Sequence, residues 1–176
     1  MAIDEGRVFK PINIAVLTVS DTRTAEDDTS GDILAARVTA AGHNLAARLI
    51  VRDDAKHLAA QFDAWIDDPA IDAVVSTGGT GLTGRDVTPE ALAMIAGARD
   101  IPGFGELFRW LSFKTIGTST VQSRACAVVA RGTYIFALPG SNGAVKDGWD
   151  GILAEQLDAR NRPCNFVELM PRLREV

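Results

Sequence analysis

The stretch Asp72-Ala73-Val74-Val75-Ser76-Thr77-Gly78-Gly79-Thr80-Gly81-Leu82-Thr83-Gly84-Arg85-Asp86-Val87-Thr88-Pro89 decides the reading of the fold. Its first six residues are a short run of apolar and β-branched character, as expected of a strand covered on both faces. A glycine-rich loop, 78–84, leaves that strand. Thr88 before Pro89 then reads as a helix N-cap with proline in the first helical position. Strand, glycine loop and helix in this order form part of a βαβ unit.

The flanking sequence repeats the alternation. Residues 14–19 are almost continuously apolar and predict a buried strand. Ser30 is a candidate N-cap for a helix over 32–41, with Ile33, Leu34, Val38 and Ala41 on one face and Gly42 as its stop. A second strand is expected at 45–51. A second helix follows over 55–66, with Leu58, Phe62, Trp65 and Ile66 inward. Two strand-like runs, 125–130 and 133–138, are separated by Arg131-Gly132, which suggests a hairpin. A last helix is expected over 144–157. Strands that alternate with helices predict an α/β fold with a mostly parallel sheet, helices on both faces and one antiparallel hairpin. The expected organisation is a flexible arm over 1–11, one domain over 12–168 and a tail over 169–176.

A chain of 176 residues suits one domain with one sizeable core. The net charge of −5 and the scatter of Lys and Arg argue against a nucleic-acid partner. No apolar run approaches the roughly 20 residues that span a bilayer, and 1–10 is charged without a leader-like core. A cytoplasmic setting is expected. Cys126 and Cys164 lack the spacing of a zinc site or a disulfide framework, so Cys126 reads as core and Cys164 as inert. His43 and His57 read as surface residues.

Open parallel sheets bind ligands at the carboxyl ends of their strands. Three polar segments leave strands here: Ser20-Asp21-Thr22, the loop 78–86, and Pro139-Gly140-Ser141. Residues 79–84 satisfy the pattern GxGxxG. In a dinucleotide site, however, the helix begins inside the glycine run, whereas here Arg85, Asp86 and Val87 intervene before the cap. No NAD site is expected, and the GK[ST] ending of a P-loop is absent. One reading of the glycines is a tight turn alone. The other is an anion cradle, with backbone amides at Gly78, Gly79 and Gly81, hydroxyls at Thr80 and Thr83, and Arg85 as a cation. Asp86 either pairs with Arg85, caps the next helix, or holds Mg²⁺ against phosphate oxygens. Asp53 either faces the same cleft or lies in a solvated turn with Asp54, and Asp21, Asp27 and Asp28 share that ambiguity. Ser141 reads as an N-cap or phosphate donor rather than a nucleophile, since no base lies near it.

The segments Thr77-Gly78-Gly79-Thr80-Gly81 and Arg85-Asp86-Val87-Thr88-Pro89-Glu90-Ala91 resemble the signature of the MoaB/Mog family. Further matches are Leu17-Thr18-Val19-Ser20-Asp21, Ser30-Gly31, Pro102-Gly103-Phe104-Gly105-Glu106, Ser123-Arg124 and Leu138-Pro139-Gly140-Ser141, in that order along the chain. The run from Leu157 to Phe166 is similar to the B-type branch. The resemblance implies a three-layer α/β sandwich that binds molybdopterin. In catalytic members it implies adenylyl transfer from Mg-ATP to the pterin phosphate. It implies catalytic roles for Asp86 and Asp53, with Asp86 the candidate Mg²⁺ ligand. It places substrate at Ser20, Asp21, Gly78, Gly79, Thr80, Gly81, Thr83, Ser123, Arg124, Pro139, Gly140 and Ser141. A non-catalytic molybdopterin-binding or scaffold protein is the alternative. The resemblance also implies a trimer-based homo-oligomer, a hexamer. Phe108, Trp110, Leu111 and Phe113 crowd one segment beyond the needs of a single helix face, and some are expected to bury against a neighbouring subunit.

Overall fold

The structure, a computed structural model, describes residues 3–175. Residues 1 and 2 of the expected arm and residue 176 of the expected tail lie outside that range. Six strands form one sheet: β1 (Asn13–Val19), β2 (Asn44–Val51), β3 (Ala73–Thr77), β4 (Arg99–Asp100), β5 (Cys126–Ala130) and β6 (Thr133–Leu138). Their spatial order is β2-β1-β3-β6-β5-β4. Strands β2, β1, β3 and β6 are mutually parallel, and β5 returns antiparallel to β6 as the expected hairpin. Arg131 and Gly132 turn that hairpin with positive φ at both residues, the geometry that two-residue hairpin turns require. Strand β4, two exposed residues beside β5, has no apolar pattern and is legible only in the structure.

The period-two alternation of the strands builds two cores, one on each face. Ile14, Val16, Ala73, Val75, Tyr134, Phe136 and Leu138 face α1 (Thr29–Ala40), α4 (Pro102–Ile116) and α5 (Asn142–Gly148). Ala15, Leu17, Val19, Val74, Ile135 and Ala137 face α2 (Ala55–Ile66) and α3 (Thr88–Ala93). The molecule is therefore a three-layer α/β sandwich. Leu58, Phe62, Trp65 and Ile66 of α2 are buried as expected.

Several local expectations are corrected. Helix α1 starts before Ser30, and its cap is Asp28, which accepts from the Gly31 amide at 3.0 Å. Ser30 donates instead to Asn142 Oδ1 at 2.9 Å, so its hydroxyl is taken by another loop. Thr88 does not cap α3; its hydroxyl donates to the Gly78 carbonyl at 2.9 Å, and Val87 occupies the cap position. The expected last helix is interrupted by a π-helical turn, Trp149–Leu153, before α6 (Ala154–Gln156). There Gly148 lies against Leu138 and Gly151 against Leu111.

His43 is buried, not exposed. Its Nδ1 accepts from the Ile12 amide at 3.3 Å, and its ring packs on Phe9 with centroids 5.1 Å apart. Burial pushes its pKa down, and Asp158 only partly offsets this. The segment expected to be a free arm is tied to the C-terminal region. Ile3 bridges Asn161, the Asp4 amide donates to the Arg160 carbonyl, and Arg7 pairs with Glu168 at the start of the chain's final turns, α7 (Phe166–Leu169). Cys126 is half-buried, and burial pushes its thiol to about 11, so it is a poor nucleophile.

Candidate functional site

Because β1, β2, β3 and β6 are parallel, their carboxyl ends meet at one edge of the sheet. The order also reverses between β1 and β3, since β1 is followed by β2 on one side and β3 on the other. At such a switch point the loops part and leave a crevice. A cleft of about 670 Å³ opens there.

Its floor is the junction of two loops. The Gly78 amide donates to the Leu138 carbonyl at 2.9 Å, and the Thr77 hydroxyl donates to the Pro139 carbonyl at 3.1 Å. A Cβ at Gly140 would lie 3.1 Å from Gly78 Cα, so glycine at both positions permits the approach. Gly78 and Gly79 take φ of 103° and 66°, which turns the chain sharply into the loop. Thr80 follows, buried, and its hydroxyl has no hydrogen-bond partner among the described atoms. A buried hydroxyl without a partner beside a cleft is one that a ligand can satisfy.

Of the residues expected from sequence, Ser20, Asp53, Gly78, Gly79, Thr80, Gly81, Asp86, Ser123, Pro139, Gly140 and Ser141 all line this cleft. Asp53 is not in a solvated turn with Asp54. Asp54 caps α2 by accepting from the His57 amide at 2.9 Å, which leaves Asp53 turned toward the glycine loop. A Cβ on Gly79 would lie 3.2 Å from Asp53 Oδ1. Burial raises the Asp53 pKa, and the nearby charge of Asp21 adds to the rise. Ser141 caps α5, its hydroxyl accepting from the Ala144 amide at 3.2 Å.

Asp21, Thr83 and Arg124 do not line the cleft. Asp21 is held by Arg85, whose Nε and Nη2 lie 2.9 and 2.7 Å from its carboxylate. That bond pulls the Asp21 pKa down. Asp86 is therefore not the partner of Arg85. Its Oδ2 accepts from the Thr83 amide at 2.8 Å and the Thr83 hydroxyl at 2.7 Å. Burial works against ionisation at Asp86, but these bonds outweigh it and the pKa is lowered. Arg124 is a clamp. It donates to the carbonyls of Gly81 at 2.6 Å and Asp86 at 2.5 Å, and its Nη1 meets Glu90 at 2.5 Å. The glycine loop is thus held from outside by one guanidinium.

Of the far wall, only Phe108 was singled out in the sequence, and then for a subunit contact rather than for the site. The wall comprises Phe108, Ser112, Thr115 and Ile116 of α4, the hydroxyls of Ser119 and Thr120 beyond it, and Asp147 of α5. The hydroxyl-rich run Thr115 to Thr120 was its only sequence signal. The cleft therefore has an amide- and carboxylate-lined end and a wall of mixed apolar and hydroxyl character. Such a shape suits a flat polar ring system carrying phosphate.

Among the described residues no three His, Cys, Asp or Glu side chains are grouped to hold a metal on their own. Mg²⁺ does not need such a cage, since it commonly uses one or two carboxylates plus substrate phosphates. Asp53 and Asp86 both abut the glycine loop, and the charge of Asp86 adds a little to the raised pKa of Asp53. Two carboxylates beside one loop are a donor set of the kind that fits Mg²⁺.

Fold and cleft together define an α/β protein with a glycine-loop cleft at its switch point. Residues 15–159 match the family model described as "Probable molybdopterin binding domain", and the chain belongs to that family. It is 52% identical over 158 residues to molybdenum cofactor biosynthesis protein B of Escherichia coli K12, covering 90% of this chain and 92% of that protein. A crystal structure of a molybdenum cofactor biosynthesis protein B superposes with a TM-score of 0.84 at 34% identity, covering 97% of this chain and all of the other. The tungsten cofactor synthesizing protein MoaB from Pyrococcus furiosus superposes with a TM-score of 0.73 at 33% identity, over 94% of this chain and 99% of that one.

Proposed function

We propose that this chain acts in molybdenum cofactor biosynthesis by binding molybdopterin in the cleft and adenylylating its phosphate with Mg-ATP. The observation that carries the reading is the pair Asp53 and Asp86 flanking a glycine loop whose buried Thr80 hydroxyl has no partner. In the transfer, an oxygen of the pterin phosphate bonds to the α-phosphorus of ATP. The bond from that phosphorus to the bridging oxygen of the β-phosphate breaks, and pyrophosphate leaves. The chain's part in such a reaction is positioning and charge neutralisation. The Gly78 amide, expected as an anion donor, is taken by the Leu138 carbonyl, and the Thr83 amide by Asp86; the amides of Gly79 and Gly81 and the hydroxyls of Ser20 and Thr80 hold phosphate oxygens. Asp53 and Asp86 would hold Mg²⁺, which supplies neutralisation of the phosphate charge when bound. The far wall orients the ring system and excludes water.

One observation favours binding without turnover. Asp86 Oδ2 is already committed to the Thr83 amide and hydroxyl, as in a purely structural loop. The two readings separate in one experiment: incubate the pure protein with molybdopterin, Mg²⁺ and ATP, and assay for adenylylated pterin and released pyrophosphate. Product supports the transferase; pterin binding without product supports the binding protein.

The assembly we propose is a trimer-based homo-oligomer, a hexamer, working in the cytoplasm. No helix among the described residues is long and apolar enough to cross a membrane. Phe108 is in the core, but Trp110 is 57% and Phe113 55% exposed on α4, an apolar face that a neighbouring subunit would cover. A monomeric mass at micromolar protein in solution would refute it.

A further inference from the structure

The charge of the cleft is hard to reconcile with an anionic ligand. Three carboxylates, Asp53, Asp86 and Asp147, line it, and Arg85 is the one basic side chain there among the described residues. Yet Arg85 does not point its guanidinium at the glycine loop. It forms a two-pronged pair with Asp21, which joins the β3–α3 loop to the β1–α1 loop. The Asp21 carboxylate lies close enough to the half-buried Asp53 for its charge to raise the Asp53 pKa.

The two arginines that meet the loop region differ in kind. Arg124 meets two backbone carbonyls and Glu90, so a ligand could recruit it only by dismantling the loop. Arg85 has no such ties. Its side chain is 65% exposed and its guanidinium partner is a carboxylate, itself 35% exposed. An exposed ion pair of this kind contributes little to stability. The guanidinium fork accepts a phosphate in the same paired geometry as a carboxylate.

We propose that Asp21 parks Arg85 in the free protein and that a phosphorylated ligand takes Arg85 over, the guanidinium exchanging carboxylate for phosphate. This rests on the phosphate-binding reading of the cleft. No covalent bond changes; one charge-assisted hydrogen-bonded pair replaces another. Asp21 is then a specificity residue rather than a ligand contact. A ligand must outcompete a carboxylate for Arg85, which a phosphate dianion does and a carboxylate monoanion does not.

The test is a double-mutant cycle read by calorimetry, with inorganic pyrophosphate as the probe at fixed Mg²⁺. The proteins are wild type, Asp21→Asn, Arg85→Gln and the double variant. Arg85 is largely solvent-facing, Asp21 is partly exposed and their ion pair contributes little to stability, so all four should share one thermal midpoint within a few degrees. Arg85→Gln is expected to weaken binding about tenfold or more, as loss of a hydrogen bond to a charged group does. Asp21→Asn is expected to tighten it about two- to fivefold, the cost of breaking an exposed pair. In the double variant the gain disappears. If Asp21→Asn tightens binding equally in the Arg85→Gln background, Asp21 acts only through its own charge and the exchange is wrong. If Asp21→Asn weakens binding as Arg85→Gln does, the pair is a tie that must stay intact, and the proposal also fails. If no variant and no wild type binds pyrophosphate, the phosphate reading of the cleft falls, and this proposal with it.

Discussion

Gly78→Ala tests whether the floor of the cleft is as tight as the geometry says. Gly78 sits at φ 103°, and a Cβ there would overlap the Val19 carbonyl oxygen. An L-residue in a left-handed conformation costs about 1–2 kcal/mol. Relieving the overlap moves the residue off two hydrogen bonds. One runs from its amide to the Leu138 carbonyl at 2.9 Å, the other from the Thr88 hydroxyl to its carbonyl at 2.9 Å. Each contributes about 1 kcal/mol. The total is about 3–4 kcal/mol, a large share of the ~5–15 kcal/mol that stabilises a typical domain. Two glycines serve as controls. Gly97 has φ 74° but nothing within 4 Å of a Cβ, so Gly97→Ala carries the conformational cost alone. Gly84 has neither a positive φ nor a neighbour within 4 Å, so Gly84→Ala should stay within about 0.5 kcal/mol of wild type. The assay is urea denaturation followed by circular dichroism, with midpoints compared at a common slope. The reasoning is refuted if Gly78→Ala unfolds at the same urea concentration as Gly97→Ala.

Asp86→Asn should lower adenylylation about 10²–10³-fold while leaving pterin affinity within a few-fold, because one electrostatic contributor is lost and the amide cradle remains. Steady-state rates and a pterin fluorescence titration measure the two; a normal rate would reduce Asp86 to the loop brace its bonds to Thr83 already show. Arg48→Met should cost about 2–3 kcal/mol, since Asp28 is 1% exposed and would lose its ion-pair partner at 2.9 Å. Burial opposes ionisation of Asp28, but Arg48, Thr18 and the Gly31 amide lower its pKa below the usual carboxylate value. Its contribution is therefore present above the unfolded carboxylate pKa of about 4 and lost as pH falls through the lower folded value. The gap in denaturation midpoint between wild type and Arg48→Met should thus be full at pH 7 and narrow as pH falls through the lowered Asp28 pKa; a gap that stays constant with pH would show that the pair carries no such linkage. NAD(H) should not bind despite the GxGxxG pattern, because α3 begins only at Thr88 and is six residues long. Micromolar affinity by calorimetry would overturn that reading of the loop.

What the sequence made legible was whatever depends on local period and composition. The apolar runs that became β1, β3 and β6, the inward face of α2 and the Arg131-Gly132 hairpin follow from side-chain alternation and turn chemistry within a few residues. Strand β4 escaped because two exposed residues have no period. The π-turn escaped because helical spacing does not register one extra residue per turn. His43 misled because it lies between Gly42 and Asn44, while its burial comes from Phe9 and Ile12, brought over it by the arm. The site followed the same rule. The loops were found because strands point at them; Asp53 and Asp86 were candidates from their place beside those loops, and the resemblance supplied their catalytic roles. The partners of Asp21 and Arg124 were not, since Asp21 meets an arginine 64 residues away and Arg124 meets the Asp86 carbonyl 38 residues away. Ion pairs between separate loops leave no mark on either loop's own sequence.

The adjacency of β3 and β6 bears on how the protein is made. Ala73 pairs with Tyr134 and Thr77 with Leu138, so the strand that completes the cleft is synthesised long after the one that opens it. A nascent chain that has emerged only through α3 has its glycine loop but no Leu138 carbonyl to receive the Gly78 amide, and no Pro139-Gly140 against which to set it. Contacts so distant along the chain form late, after their loop entropy has been overcome. The first strands and helices can gather on the ribosome, but the pocket cannot exist until residue 140 is free to fold back. On the reading proposed above, ligand capture would wait for chains in which β6 and Pro139-Gly140 have been made, and protection of the Gly78 amide against hydrogen exchange should report that moment.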